Sequence, residues 1–210
     1  MHKRAFIYDL DNTIYPVQSI AGKVFASLFK LIEESSEHTH DMRFIKEDIM
    51  RKPFQKVAAE HHFSENLTQK GIGLLKDTTY DGEIKPFADY PEIRRIKGDR
   101  FLVTTGFAKL QNSKIGGMRI AEDFNEIHIV DPSTSNRTKK DVFEDIIKRN
   151  NYKPLEVLVI GDDPESEIKA AQELGIDTVL YDKNNSYGLS TATYKIDDFK
   201  ALCNLFNLSR

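Results

Sequence analysis

The sequence has no tryptophan and a single cysteine, Cys203. A disulfide framework within the chain is therefore excluded, and a reducing, cytoplasmic setting is expected. Cys203 falls in the apolar-periodic stretch from Phe199 to Phe206, which reads as a packing position and not as a nucleophile. No apolar run approaches the roughly 20 residues that span a bilayer. Met1-His2-Lys3-Arg4 leads straight into a strand-like segment, without the pattern of a signal peptide. Neither sign of charge is in excess, since 30 Lys and Arg face 33 Asp and Glu for a net charge of −3. That balance argues against a nucleic-acid polymer or an anionic membrane as the main partner. Internal repeats and low-complexity tracts are lacking as well.

What is present has two textures. Runs of four to six residues, apolar and β-branched or aromatic in character, occur at Ala5–Tyr8, Arg100–Thr104, Glu126–Val130, Leu155–Ile160 and Thr178–Tyr181. Such runs suit strands buried on both faces of a parallel sheet. Between the later runs the spacing turns helical. Asp141 to Asn150 carries Val142, Phe143, Ile146 and Ile147 on one stripe, and Pro164 to Leu174 carries Ile168, Ala171 and Leu174, with Gly175 placed as a C-cap. Strands alternating with helices predict an α/β fold with a doubly wound parallel sheet. Residues 16–83 lack strand-like runs and read as short helices near 21–34, 45–51, 54–62 and 66–76. An insertion of that size is too long for a loop. The expectation is a helical cap over 16–83 on a core formed by 1–15 and 84–210, with hinges at Tyr15-Pro16 and Lys85-Pro86. Phe25, Phe29, Phe54 and Phe63 have the spacing of cap core residues.

Three strand ends and one helix start carry chemistry. The first strand delivers Asp9 and Asp11, followed by Asn12 and Thr13. Two residues apart on an extended chain, the carboxylates point to one side, so one is protonated or a cation lies between them unless the segment is a solvated turn. The second strand ends in Thr104 and Thr105 before Gly106. A hydroxyl and the turn's N–H groups suit a phosphate oxygen there, or simple helix capping. The fourth run ends in Gly161-Asp162-Asp163-Pro164, in which Asp163 doubles as an N-cap with proline next, whereas Asp162 has no such second use. Thr138-Lys139-Lys140 opens a helix, where a basic pair opposes the helix dipole and can instead offset gathered carboxylates. Lys139, four residues before Phe143, is preferred to Lys140 as the lysine that faces the sheet edge. His38 and His40, and His61 with His62, lack ligand-spaced acidic or cysteine partners and read as solvated. Gly71 and Gly73 follow no strand, so they make no dinucleotide fingerprint.

In order and spacing these segments resemble the haloacid dehalogenase-like superfamily: Asp-x-Asp-x-Thr after strand one, Thr ending strand two, a Lys at a later helix, and Gly-Asp-Asp after strand four. Glu167 stands where that family often has Asp, and the Pro usual near the Lys is absent. Asp9 to Pro16 is similar to the pyrimidine 5′-nucleotidase-like branch. The resemblance implies a phosphatase in which Asp9 is the nucleophile and Asp11 the general acid and base. It also implies Mg²⁺ held by Asp9, the backbone carbonyl of Asp11 and Asp162, with Thr104, Thr105 and Lys139 on the substrate phosphate. Asp163 and Thr13 would support them from behind. Dehalogenases of the superfamily typically have Tyr where Asp11 stands, so phosphoryl chemistry is expected. The implied partner is a small phosphorylated metabolite such as a nucleoside monophosphate, a sugar phosphate or phosphoglycolate, acted on by a monomer or homodimer. A phosphomutase using the same intermediate is the near alternative. A receiver-like or silent phosphate-binding protein is the remote one.

Overall fold

A computed structural model describes residues 3–37, 41–188 and 192–207 of the chain. Strand β1 (Ala5–Tyr8) is followed by five helices: α1 (Gln18–Val24), α2 (Ala26–Ser35), α3 (Met42–Ile49), α4 (Phe54–Glu60) and α5 (Glu65–Asp77). The chain continues through β2 (Asp99–Thr105), α6 (Ala108–Met118), β3 (Glu126–Val130), α7 (Lys139–Arg149) and β4 (Val157–Gly161). A wide turn at Pro164–Ile168 leads into α8 (Lys169–Gln172), then β5 (Asp177–Tyr181), β6 (Tyr194–Ile196) and α9 (Phe199–Asn207). The six strands form one sheet in the order β3-β2-β1-β4-β5-β6, with every pair parallel.

The order reverses at β1, which pairs with β2 on one side and β4 on the other. In open α/β sheets a crevice forms beyond the carboxyl ends of the strands at such a point. Alternation along the strands divides the apolar residues between two layers. Ala5, Ile7, Phe101, Val103, Val157 and Val159 pack beneath α7 with Phe143 and Ile146. Phe6, Tyr8, Leu102, Leu158 and Ile160 pack on the other face. That second cluster runs without interruption into Leu28, Ile32, Phe54 and Leu67 of the inserted helices. Each large side chain so buried contributes about 1.5–3 kcal/mol, so α1–α5 are anchored to the sheet and not merely tethered by their ends.

Several segments differ from the sequence expectation. The helix expected near 21–34 is two helices, broken at Phe25, whose φ and ψ of −103° and 6° are not helical. The strand expected from Leu155 begins at Val157, because Pro154 starts a 3₁₀ turn that leaves Leu155 exposed. Pro164–Ile168 closes with wide π-type turns before α8 takes over. The short β6 gave too brief a pattern to stand out. His61 is buried, with Nε2 2.9 Å from Asp48 Oδ2, which corrects its reading as solvated. His38 and His40 lie outside the described residues. Among the described residues no helix is long and apolar enough to cross a membrane.

Candidate active site

Parallel pairing brings the tips of β1 and β4 together, and the Asp9 N–H extends the ladder by donating to Ile160 O at 2.9 Å. Asp9 therefore sits beside Asp162, with its side chain buried. Lys139, in the first turn of α7, reaches both this strand tip and Glu167: Nζ lies 2.6 Å from Asp9 Oδ1 and 2.7 Å from Glu167 Oε2. Glu167 Oε1 accepts the Asp163 N–H at 2.8 Å, so one carboxylate orients both the lysine and the loop after β4. Gly161 makes this approach possible, since a Cβ there would stand 2.1 Å from Glu167 Oε1. Oxygens of Asp9, Asp162 and Glu167 lie within 4.8 Å of one another. Three buried hard donors at that spacing match a divalent cation that prefers oxygen.

Burial and crowding dominate the electrostatics here. Burial pushes the Asp9 carboxyl up to about 7; Lys139 opposes the shift, while Glu167 and Asp11 add repulsion. Asp162 is held well above the usual carboxylate range by burial first, then by Glu167 and Asp9. Asp163 is raised for the same reasons, burial and then Glu167. Burial works against the Lys139 ammonium, yet Asp9 and Glu167 outweigh it and hold the amine protonated.

Asp11 has separate surroundings. Lys114 of α6 places Nζ 2.8 and 2.9 Å from its two oxygens, Tyr15 Oη donates to Oδ1 at 2.6 Å, and the Gln111 amide donates to Oδ2 at 3.1 Å. Burial opposes ionisation of Asp11, but Lys114 and these hydrogen bonds prevail and hold it below its ordinary value. The same Gln111 nitrogen lies 2.6 Å from Thr104 Oγ1, which leaves the threonine hydroxyl hydrogen to point elsewhere. Asn12 makes the bend just after the second aspartate with φ of 58°, a left-handed conformation that asparagine tolerates. Its side chain donates to Met50 O and accepts from Val17 N, tying the bend to the inserted helices.

A cavity of about 280 Å³ opens over these groups. Its acidic lining comes from the sheet edge, and its cations on the opposite side, Arg51, Lys52 and Lys56, come from the α3–α4 turn and α4. Val17, Phe25, Leu75 and Leu110 form an apolar wall. Of the residues expected from sequence, Asp9, Asp11, Thr104, Thr105, Lys139, Asp162 and Asp163 all face this cavity. Lys140 instead pairs with Glu173 on the surface at 2.8 Å. Asp163 caps the turn that follows it, accepting Glu165 N at 2.9 Å. Thr13 does not: it is fully buried, and among the described residues its hydroxyl meets no hydrogen-bond partner. Two N–H groups expected for a phosphate are already engaged, Gly106 with Val130 O and Ala108 with Asp131 Oδ2. Tyr15, Arg51, Gln111, Lys114 and the inward turn of Glu167 went unpredicted. Lys114 carried one signal, a lysine one helical turn after Leu110 and Gln111 on the inner face of α6.

Carboxylates and a buried lysine thus meet at the switch point of a parallel α/β sheet. The chain belongs to the haloacid dehalogenase-like hydrolase family, whose sequence pattern matches residues 6–181. It is 23% identical over 197 residues to a glyceraldehyde 3-phosphate phosphatase of Methanopyrus kandleri, covering 84% of this chain and 82% of the relative. Similar solved folds include a haloacid dehalogenase-like family protein of Streptococcus pneumoniae, with a TM-score of 0.71 and 16% identity over 97% of this chain and 98% of that one. YfnB of Bacillus subtilis, crystallised with magnesium, has a TM-score of 0.69 at 17% identity over 99% and 100%. A phosphatase of Thermococcus onnurineus has a TM-score of 0.63 at 18% identity over 96% and 97%.

Proposed function

We propose that the chain is a Mg²⁺-dependent phosphatase that hydrolyses a small phosphate monoester through a phosphoryl-aspartate at Asp9. The observation that carries this reading is the difference in surroundings between two aspartates two residues apart. One is crowded among carboxylates beside a lysine, and the other is held apart by Lys114, Tyr15 and Gln111. A nucleophile and an acid–base group need such different surroundings.

The hard-donor cluster fits Mg²⁺: Asp9, Asp162 and the backbone carbonyl of Asp11 would hold it, with Glu167 as a further carboxylate of the cluster. The ion supplies charge compensation for the phosphoryl oxygens. Asp9 attacks phosphorus, the bond to the leaving oxygen breaks, and that oxygen takes a proton from Asp11. Water then attacks the phosphoryl-aspartate, the bond to Asp9 breaks, and Asp11 takes the proton. The Lys114 pairing favours the ionised form that the second step needs. To donate in the first step, the carboxyl must be protonated and turned away from Lys114. Lys139, Thr104 and Thr105 hold the phosphoryl oxygens.

The compact cavity and the triose-phosphate relative favour a short phosphate ester, within the wider range of nucleoside monophosphates, sugar phosphates and phosphoglycolate. Turnover of p-nitrophenyl phosphate with Mg²⁺, and its loss on chelation and in Asp9→Asn, tests the reading. Undiminished turnover in Asp9→Asn would overturn it.

A further inference from the structure

One cation from the inserted helices touches a carboxylate of the acidic cluster. Arg51, in the turn after α3, places Nη2 3.4 Å from Asp162 Oδ2 and 2.5 Å from Tyr187 Oη, with the guanidinium 5.6 Å from the centre of the Tyr187 ring. Asp162 belongs to the strand-tip cluster, and Tyr187 lies in the segment between β5 and β6. The contact therefore joins the α3–α4 turn to the core at two points. Lys52 beside it is committed to Asp48 and Glu60 at 2.8 and 2.7 Å, and Lys56 lies 4.0 Å from Glu60. Arg51 is thus the cation of this turn that draws on the cluster itself.

A divalent ion on Asp162 uses the lone pairs that Arg51 now engages, and it sets two further positive charges beside the guanidinium. Both effects weaken the Arg51 contact. Linkage makes the relation mutual: whatever Arg51 gains from Asp162, the metal must displace. The guanidinium also lines the cavity, so once displaced it faces the space that a substrate anion would enter.

On the reading of the site as a metal-dependent phosphatase, we propose that Arg51 is a latch that competes with the divalent ion for Asp162. Without metal it fastens the α3–α4 turn to the core. Metal binding breaks the hold on Asp162, which loosens that turn to its Tyr187 contact and frees guanidinium N–H groups for an anion. Metal uptake and the freedom of the α3–α4 turn are thereby coupled.

Calorimetric titration of the chelator-stripped full chain with Mg²⁺ tests this at low salt. Arg51→Ala is expected to bind Mg²⁺ about two- to five-fold tighter than the wild type, the range for a partly exposed ion pair. The gain shrinks as salt screens the contact. Tyr187→Phe, which removes one of the two anchors, gives a smaller gain, and Arg51→Lys stays closest to wild type. Hydrogen exchange gives an independent readout: amides of residues 50–56 speed up when Mg²⁺ is added to the wild type and are already fast in Arg51→Ala. Equal or weaker Mg²⁺ binding by Arg51→Ala, or exchange at 50–56 that ignores Mg²⁺, overturns the latch while leaving the phosphatase reading intact. A wild-type chain that takes up no Mg²⁺ sinks the metal-dependent reading itself, and the latch with it.

Discussion

Lys114 Nζ stands 2.8 and 2.9 Å from the two oxygens of Asp11, with 4% of the lysine side chain exposed. A buried ammonium that contacts both oxygens fixes where the carboxylate points as well as its charge. If Asp11 is the acid and base, Lys114→Met lowers kcat by about 10–100-fold, part of the 10²–10⁴ that a positioned proton donor typically contributes. The loss is larger for alkyl phosphates than for p-nitrophenyl phosphate, whose leaving group departs without protonation. Steady-state kinetics on the two substrates checks this, and equal losses would assign Lys114 a role unrelated to Asp11.

Lys139 and Lys140 are neighbours with opposite surroundings. Lys139 is buried between Asp9 and Glu167, whereas Lys140 is half-exposed against Glu173. Lys139→Met is expected to cost about 10²–10³ in kcat, the scale of losing one charge-stabilising donor. Lys140→Ala stays within about two-fold, because exposed ion pairs contribute little. Assaying the pair side by side decides which lysine serves the site.

Gly161 lets Glu167 fold against the end of β4, with a Cβ there 2.1 to 2.4 Å from three of its side-chain atoms. Gly161→Ala must therefore push Glu167 out, taking one partner from Lys139 and from the Asp163 N–H. The expected outcome is a folded chain, by circular dichroism, with activity down at least about ten-fold and weaker Mg²⁺ binding. Unchanged activity would show that Glu167 is dispensable.

Acid sensitivity has a source outside the site. Burial opposes ionisation of Asp131, but the N–H groups of Ala108 and Ser133 outweigh it and hold the carboxyl low. Burial likewise opposes Asp182, which Lys195 and the N–H groups of Tyr187 and Ser186 hold low. A folded pKa below the unfolded value gives stability that is present above about pH 4 and lost as pH falls through the folded value. Urea unfolding should show stability declining below about pH 4, and less steeply in Asp131→Asn and Asp182→Asn.

The sheet was legible because its strands leave short runs of strand-forming residues: Ala5–Tyr8, unbroken and buried, and Glu126–Val130, alternating at the sheet edge, have bounds that match the structure. Asp9, Asp162, Thr104 and Lys139 stand at strand tips or a helix start, where position alone marks them. Lys114 and Gln111 escaped notice because they lie mid-helix, where one turn of α6 looks like any other until β2 turns it toward Asp11. Arg51 and Tyr187 are 136 residues apart in sequence, and no local pattern encodes such a contact. Glu167 stood out as a departure from the family pattern. Its place became clear through the wide turn at Pro164–Ile168 and the missing Cβ of Gly161.

The most direct measurement is acid-quenched mass spectrometry of the chain mixed with Mg²⁺ and a phosphate monoester. A phosphoryl group on the peptide containing Asp9, absent from Asp9→Asn and decaying on the timescale of turnover, is the predicted result. Turnover with no phosphorylated peptide at any quench time, or with the phosphoryl group on another residue, would contradict the account.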